Sequence, residues 1–112
     1  MSDIPLALDW APEALPAGVE VLPVPLRTTD AAAVLGQLYR AGRPRTVVCL
    51  MHPREYLGAH YLVPSLLRAG VAVWTQGSRS IGLDIRLEHE LAVLDAAAGI
   101  QWLKTQGFEA IV

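Results

Sequence analysis

Two short runs of apolar residues, each followed by a segment with helical spacing, constrain this chain to an α/β fold. The runs cover residues 46–51 and 71–74. A strand that is hydrophobic on both faces is typical of a parallel sheet, because helices cover both sides of such a sheet. Short connections from strand to helix to strand therefore predict a right-handed, mostly parallel sheet in a three-layer arrangement.

The segment before the first run predicts an antiparallel hairpin. Residues 19–26 alternate as in a strand, residues 28–30 resemble a turn, and residues 32–39 resume the apolar pattern. Pro23 and Pro25 have no N–H to donate to a ladder of hydrogen bonds. We therefore expect the first strand of the hairpin to lie at an edge of the sheet.

Two helices are expected on the faces of this sheet. The first ends at Gly70, and Pro64 must lie in its first turn or mark a kink. The second runs from about Asp84 to Gln106 and is closed by Gly107. Its apolar residues recur at helical spacing, which predicts that they lie on the sheet: Leu87, Leu91, Leu94, Ala98 and Trp102.

The last residues of the sequence predict a further buried strand. Residues 109–112 are largely apolar and follow Gly107, and a parallel strand needs neighbours on both sides. We therefore expect residues 19–112 to form the N-terminal portion of a single larger domain, preceded by an irregular, proline-rich arm at residues 1–18. The expected partner is a C-terminal half of the same protein, a second chain or a second copy. Made alone, the chain is expected to aggregate or to fold only partially.

Composition argues against several classes of function. The 112 residues are 53% hydrophobic with a net charge of −2, and no run of Lys or Arg could neutralise phosphates, so we expect no nucleic-acid partner. Neither a signal peptide nor a membrane-length apolar stretch is present, and Cys49 is a single cysteine, which predicts a cytoplasmic protein without membrane contact. His52 and His60 lack the spacing of paired zinc ligands, so we expect no metal and no other cofactor.

The order of these features resembles the N-terminal half of the α/β-hydrolase family. An antiparallel pair leads to an apolar strand that ends in His52-Pro53, where the family has His-Gly, and a helix and a strand with a polar loop at residues 76–82 follow. The long helix and Gly107 then precede the strand that in this family delivers the Gly-x-Ser-x-Gly nucleophile elbow. The resemblance covers about residues 19–112. It implies a serine-type hydrolase of an ester, thioester or related acyl substrate.

The resemblance also implies roles for individual residues. The nucleophile, the acid and the catalytic His are expected downstream, and none of them is assigned within this chain. The oxyanion hole is expected to take a backbone N–H from the loop after the third strand. Pro53 has no N–H, so Arg54 is the best donor and Glu55 the next. The side chains that we expect to line the substrate pocket are His52, Tyr56 and Arg79.

Several of these side chains also have a structural role open to them. His52 fits a hydrogen bond to the neighbouring loop better than the role of a catalytic base. Arg54 can form a local ion pair with Glu55 instead of holding a substrate carboxylate. Tyr56 can line the pocket or cover the entrance to the helix. The family's Asp-x-Arg-Gly loop is replaced here by residues 75–79, which leaves the substrate class open.

Two rival interpretations remain. Ser80 could be a nucleophile on an imperfect elbow, but residues 83–86 separate it from the expected helix, whereas an elbow needs the helix to begin almost at the nucleophile. A solvent-facing loop is therefore the preferred interpretation of residues 77–82. The second rival is that the chain works as a non-catalytic α/β module or subunit that pairs through its open sheet edge.

Overall fold

The structure is a computed structural model that describes residues 15–52, 60–79 and 89–112. Within these residues five strands and two helices follow one another along the chain. They are β1 (Val19–Arg27), β2 (Ala33–Ala41), β3 (Thr46–Met51), α1 (Leu62–Arg68), β4 (Ala72–Gln76), α2 (His89–Lys104) and β5 (Ala110–Ile111). The predicted α/β class is confirmed.

The strands form one sheet in the order β1-β2-β4-β3-β5. β1 pairs with β2 and β2 with β4 in antiparallel fashion, whereas β3 pairs in parallel with both β4 and β5. An antiparallel hairpin followed by parallel strands is the predicted arrangement. The sheet is nevertheless less parallel than expected, because β2 contacts β4 directly and that pairing is antiparallel. β3 lies between the two strands that follow it in sequence, so the chain crosses over it after β4.

The β1–β2 hairpin pairs over the full length of both strands, from Val19 opposite Ala41 to Arg27 opposite Ala33. β1 is the edge strand, as its prolines predict, because it has no second partner among the described strands. At this edge the missing N–H groups of Pro23 and Pro25 leave fewer donors to which another chain could pair.

Two apolar clusters cover opposite faces of the sheet. On one face, Leu103 of α2 packs against a cluster centred on Leu38 and Trp74, and Trp102 stacks on Trp74 with ring centroids 5.2 Å apart. On the other face, α1 contributes two buried residues to a second cluster, whose members are Tyr39, Val63, Leu67 and Val73. Adjacent residues of β2 and β4 therefore point to different helices, which gives the predicted three layers.

Strand β4 is longer than the sequence pattern indicated. The prediction ended this strand at Trp74 and began a loop at Thr75, but the structure continues the strand to Gln76. Thr75 and Gln76 are fully buried. Polar residues are usually exposed, which is why they were read as loop. Gln76 is tolerated in the interior because its amide is hydrogen-bonded on both sides.

Helix α2 presents a slightly different face to the sheet from the one predicted. The expected start at Asp84 lies outside the described residues, and the helix ends at Lys104, before the predicted Gln106. Leu91, Leu94, Ala98 and Trp102 are only partly buried, and the buried line consists of Asp95, Gly99 and Leu103. The helix is therefore rotated so that a charged residue and a glycine face the sheet.

Helix α1 agrees with the sequence pattern. Strand β5 forms where it was predicted but is not buried, since Ala110 is exposed and Ile111 is only partly buried. Pro64 lies in the first turn of α1, where its missing N–H would have no helical partner. β5 follows Gly107, which has a φ of +86°, and adds to the free side of β3. Most of the expected irregular arm lies outside the described residues. Its described residue Leu15 packs on the α1 side of the sheet.

Candidate functional site

The carboxyl ends of β3 and β4 define the candidate site. These two strands are parallel neighbours, and Met51 lies opposite Gln76 at the end of their pairing. His52 and Gly77 therefore leave the sheet side by side. In open α/β sheets, ligands bind outside the carboxyl ends of the strands, so the loops that follow β3 and β4 are the ones placed to contact a substrate.

The loop after β3 contains most of the residues predicted for the site. Arg54, Glu55 and Tyr56 lie outside the described residues, so their roles in the oxyanion hole and pocket stay predictions. His52 is described and is exposed at the end of β3. Its position at the carboxyl edge is the one that the sequence predicted.

The loop after β4 contains Arg79, whose guanidinium lies between two aspartates. Nε and Nη2 donate to Asp95 Oδ1 at 3.0 and 2.8 Å, and the backbone N–H donates to Asp95 Oδ2 at 2.8 Å. On the other side, Nη1 donates to Asp30 Oδ2 at 2.5 Å and Nη2 to Asp30 Oδ1 at 2.9 Å. We call these three residues the Arg79 cluster. It joins the β1–β2 turn, the loop after β4 and helix α2.

The electrostatics of the Arg79 cluster keep its arginine and Asp30 charged. The hydrogen bonds from Arg79 and then from Thr28 hold the pKa of Asp30 well below its ordinary value. The hydrogen bonds to Asp30 and then to Asp95 raise the pKa of Arg79. A substrate carboxylate at Arg79 would therefore compete with two carboxylates that already occupy its donor fork.

A buried chain of hydrogen bonds connects the cluster to the sheet. Trp74 Nε1–H donates to Gln76 Oε1 at 2.8 Å, and Gln76 Nε2 donates to the backbone carbonyl of Asp95 at 2.5 Å. Two glycines make room for these side chains. A Cβ on Gly99 would overlap the Gln76 amide oxygen, and a Cβ on Gly36 would overlap the Trp74 ring.

Sequence reasoning found Arg79 but missed its partners. Asp95 was a detectable signal, because it lies on the apolar stripe of α2 between Leu91 and Gly99, and a charge in such a position must find a partner. Asp30 carried no such signal. It is a turn residue 49 positions from Arg79, and only the folded sheet brings the two together.

Two surface grooves lie at other parts of the sheet. One, of about 320 Å³, is at the amino edge of the parallel strands, between the turn that contains Arg43 and the segment around Phe108. The other, of about 390 Å³, lies beside the end of the hairpin, between Leu26 and Leu35. Neither is lined by His52 or Arg79.

Several potential metal ligands and the one cysteine lie within the part of the chain that the structure describes. There, no group of three or more potential ligand side chains could hold a metal ion. Burial raises the pKa of Cys49 to about 11, so the thiol form predominates at neutral pH. Among the same residues, no helix has the length and hydrophobicity needed to cross a bilayer.

Comparison with known proteins is informative at the level of structure. No family model matches the sequence, and no curated protein matches it either. An esterase of Pyrococcus furiosus resembles the chain with a TM-score of 0.70 and 25% sequence identity, over 92% of this chain and 42% of the esterase. The bacterial brefeldin A esterase, a homologue of human hormone-sensitive lipase, gives a TM-score of 0.67 at 15% identity, over 99% of this chain and 33% of its own.

These matches confirm the resemblance to the N-terminal half of the α/β-hydrolase family. Both solved structures are esterases, and both match along nearly the whole of the present chain. The chain spans less than half the length of either esterase. The α/β fold of the chain and its structural similarity to esterases are therefore established.

Proposed function

We propose that this chain is the N-terminal part of a serine-type α/β hydrolase that cleaves an ester, thioester or related acyl substrate. The observation that carries the proposal is the sheet order β1-β2-β4-β3-β5, together with its match to an esterase over 92% of the chain. The carboxyl ends of β3 and β4 supply adjacent loops on which part of such a site can be built.

In this proposal the chain supplies the oxyanion hole and part of the substrate pocket. A downstream serine oxygen bonds to the acyl carbon and its proton passes to a downstream His, which gives it to the leaving group as the bond between that group and the acyl carbon breaks. The negative charge on the tetrahedral carbonyl oxygen is held by backbone N–H groups, one of them from Arg54 or Glu55. Such a donor is worth about 3 to 4 kcal/mol of transition-state stabilisation. Water then releases the acyl group by the same steps.

Labelling of the purified protein with a serine-directed fluorophosphonate, beside hydrolysis of p-nitrophenyl esters, tests the proposal. We expect one labelled serine outside residues 1–112, within a Gly-x-Ser-x-Gly, and loss of hydrolysis in proportion to labelling. A Ser80→Ala variant should be labelled to the same extent as the native protein. Ser65→Ala, which removes another serine hydroxyl, is its matched control and should also be labelled to the same extent. An adduct on Ser80 would support the rival nucleophile. Absence of both hydrolysis and labelling would contradict the proposed function.

The oxyanion hole needs a separate test, because its donors are main-chain groups and side-chain substitution does not remove them. A crystal structure of the phosphonate adduct should place the phosphoryl oxygen within about 3 Å of the N–H of Arg54 or Glu55. If that oxygen is held only by other groups, the assignment of this loop is wrong even though the protein is a hydrolase.

A second candidate function is a non-catalytic module that pairs through its sheet edge. β5 favours it, since among the described strands β5 pairs only with β3, and Val112 is exposed. Denaturing mass analysis of the purified protein separates the two candidates. A lone 12.1 kDa species that forms dimers in sedimentation would favour the module, whereas a longer or second polypeptide would favour the hydrolase.

A further inference from the structure

We propose that Asp30, on the turn between β1 and β2, is a positioning residue for the hydrolase site, which through Arg79 holds the loop after β4 at the carboxyl edge of the sheet. The inference rests on the proposed function and extends it to the hairpin, a part of the fold that supplies no other site residue. Asp30 acts through Arg79 and does not contact substrate in this scheme.

The loop after β4 is fixed at two points of its backbone. The Gly77 N–H donates to the Leu35 carbonyl of β2 at 3.0 Å, and the Arg79 N–H donates to the buried carboxylate of Asp95 at 2.8 Å. The Arg79 side chain adds a third point, since its outer nitrogens form a two-pronged contact with Asp30. The described start of the loop, residues 77–79, is therefore held from β2, from α2 and from the hairpin turn.

The turn that contains Asp30 is itself ordered by local hydrogen bonds. Thr28 is buried; its Oγ1 donates to Asp30 Oδ1 and accepts the Ala32 N–H at 2.9 Å. Ala31 has a φ of +67°, a backbone conformation that residues with a side chain seldom adopt. The surrounding bonds keep the turn in this conformation. Asp30 is thus presented to Arg79 in one orientation at little additional entropic cost.

Asp30 and Asp95 hold the arginine in different ways. Asp95 is fully buried and contacts both the backbone and the side chain of Arg79, so it is needed for the interior to be stable. Asp30 is more than one-third exposed and contacts only the outer part of the guanidinium. Loss of Asp30 therefore leaves the buried Arg79–Asp95 pair in place while the outer side of the loop loses its anchor.

Kinetics of Asp30 variants in the complete hydrolase test this inference. We expect Asp30→Ala to lower kcat for ester hydrolysis by about tenfold with KM changed less than about twofold, because small displacements of a site cost rate more than binding. Asp30→Asn keeps one hydrogen-bond acceptor, so its kcat should lie between that of the native protein and that of Asp30→Ala. Thr28→Val leaves the Asp30 carboxylate in place but removes the hydrogen bond from Thr28 to it, so kcat should fall by less than in Asp30→Ala.

Glu20→Ala is the matched control. It also removes one carboxylate from the hairpin, but from the exposed pair with Arg40 at the opposite end of β1. It should leave kcat, KM and the unfolding midpoint unchanged. Native kinetics for Asp30→Ala would overturn the inference, as would a loss of activity equal to the fraction of Asp30→Ala that is unfolded.

Amide hydrogen exchange distinguishes failure of this inference from failure of the proposed function. In Asp30→Ala the loop keeps its bonds to Leu35 and Asp95 but should open more often, so the N–H groups of Gly77 and Arg79 should exchange at least about fivefold faster, while those of β3 keep their native rates. If the native protein hydrolyses no ester, the proposed function fails and the exchange rates still decide whether Asp30 holds the loop. Unchanged exchange at Gly77 and Arg79 would overturn the positioning role in either case.

Discussion

The two ends of the same sheet hold arginine–carboxylate pairs of different kinds. At the carboxyl end, the Arg79 side chain is 15% exposed and that of Asp95 is 0% exposed, with nitrogen and oxygen 2.8 Å apart. At the amino end, Arg45 and Glu109 are 83% and 69% exposed and 3.6 Å apart. The first pair is largely removed from solvent, so its strength depends on its geometry. The second stays solvated and is worth little.

The difference shows at which edge of the sheet charged groups have a structural role. At the amino edge, Arg43 and Arg45 are exposed side chains around a groove, and water can replace each of their contacts. At the carboxyl edge, the Arg79 cluster is joined to the interior through Gln76 and Trp74. The carboxyl edge is also the one at which α/β proteins bind ligands.

Removal of Asp95 should produce the largest loss of stability. Asp95→Ala leaves Arg79 without its buried partner, and breaking a buried pair in this way costs about 3 to 5 kcal/mol. Urea unfolding of the purified protein measures the effect. Asp95→Asn keeps the size and one acceptor oxygen, and should lose less. A change below about 1 kcal/mol for Asp95→Ala would show that water replaces the carboxylate and that the two edges are alike.

The next largest effect is expected where α2 approaches the sheet. Gly99→Ala raises helix propensity by about 1 kcal/mol, yet its Cβ would overlap the Gln76 amide, and overpacking of this kind costs about 1 to 3 kcal/mol. We therefore expect a net loss of stability in urea unfolding and weaker protection of the Gln76 backbone in hydrogen exchange. Ala97→Gly, on the same helix but only partly buried, is the matched control and should cost about the propensity difference alone. A more stable Gly99→Ala would contradict the close approach of α2.

Sequence patterns predicted the framework of this molecule better than its polar interior. The proline pair of β1, the apolar run of β3 and Pro64 of α1 each indicated the correct element, because local sterics and the alternation of apolar residues decide those features. Thr75 and Gln76 were predicted to lie in a loop, and Asp95 was not among the residues of the second helix that were expected to face the sheet. Their burial depends on partners from distant segments, which periodicity cannot reveal. The predicted oxyanion loop lies outside the described residues, so that part of the site stays a prediction.

Acid should weaken the carboxyl-edge cluster through Asp30. The pKa of this group is lower in the folded protein than in the unfolded chain, where it is about 3.9. The ionised form therefore adds stability above that pH, and the contribution declines as the pH falls toward the folded pKa. We expect Asp30→Asn to melt below the native protein at pH 7 and the gap in Tm to close from about pH 4 downward. A difference in Tm that stays constant down to pH 3 would mean that folding does not lower the pKa of Asp30 and that its contact with Arg79 adds no stability.

The smallest effect is expected at the amino edge. Glu109→Gln removes the charge opposite Arg45 but leaves a side chain of the same size in solvent, so the free energy of unfolding should change by no more than about 0.5 kcal/mol. The residual effect should disappear in about 0.5 M salt, since exposed charges are screened within a few ångströms there. Arg45→Gln should change the free energy of unfolding by a similarly small amount. The change in the double variant should equal the sum of the two single changes within error. A coupling well above about 1 kcal/mol between these two positions would mean that the amino edge is also held by an ordered ion pair, and the contrast between the two ends of the sheet would then fail.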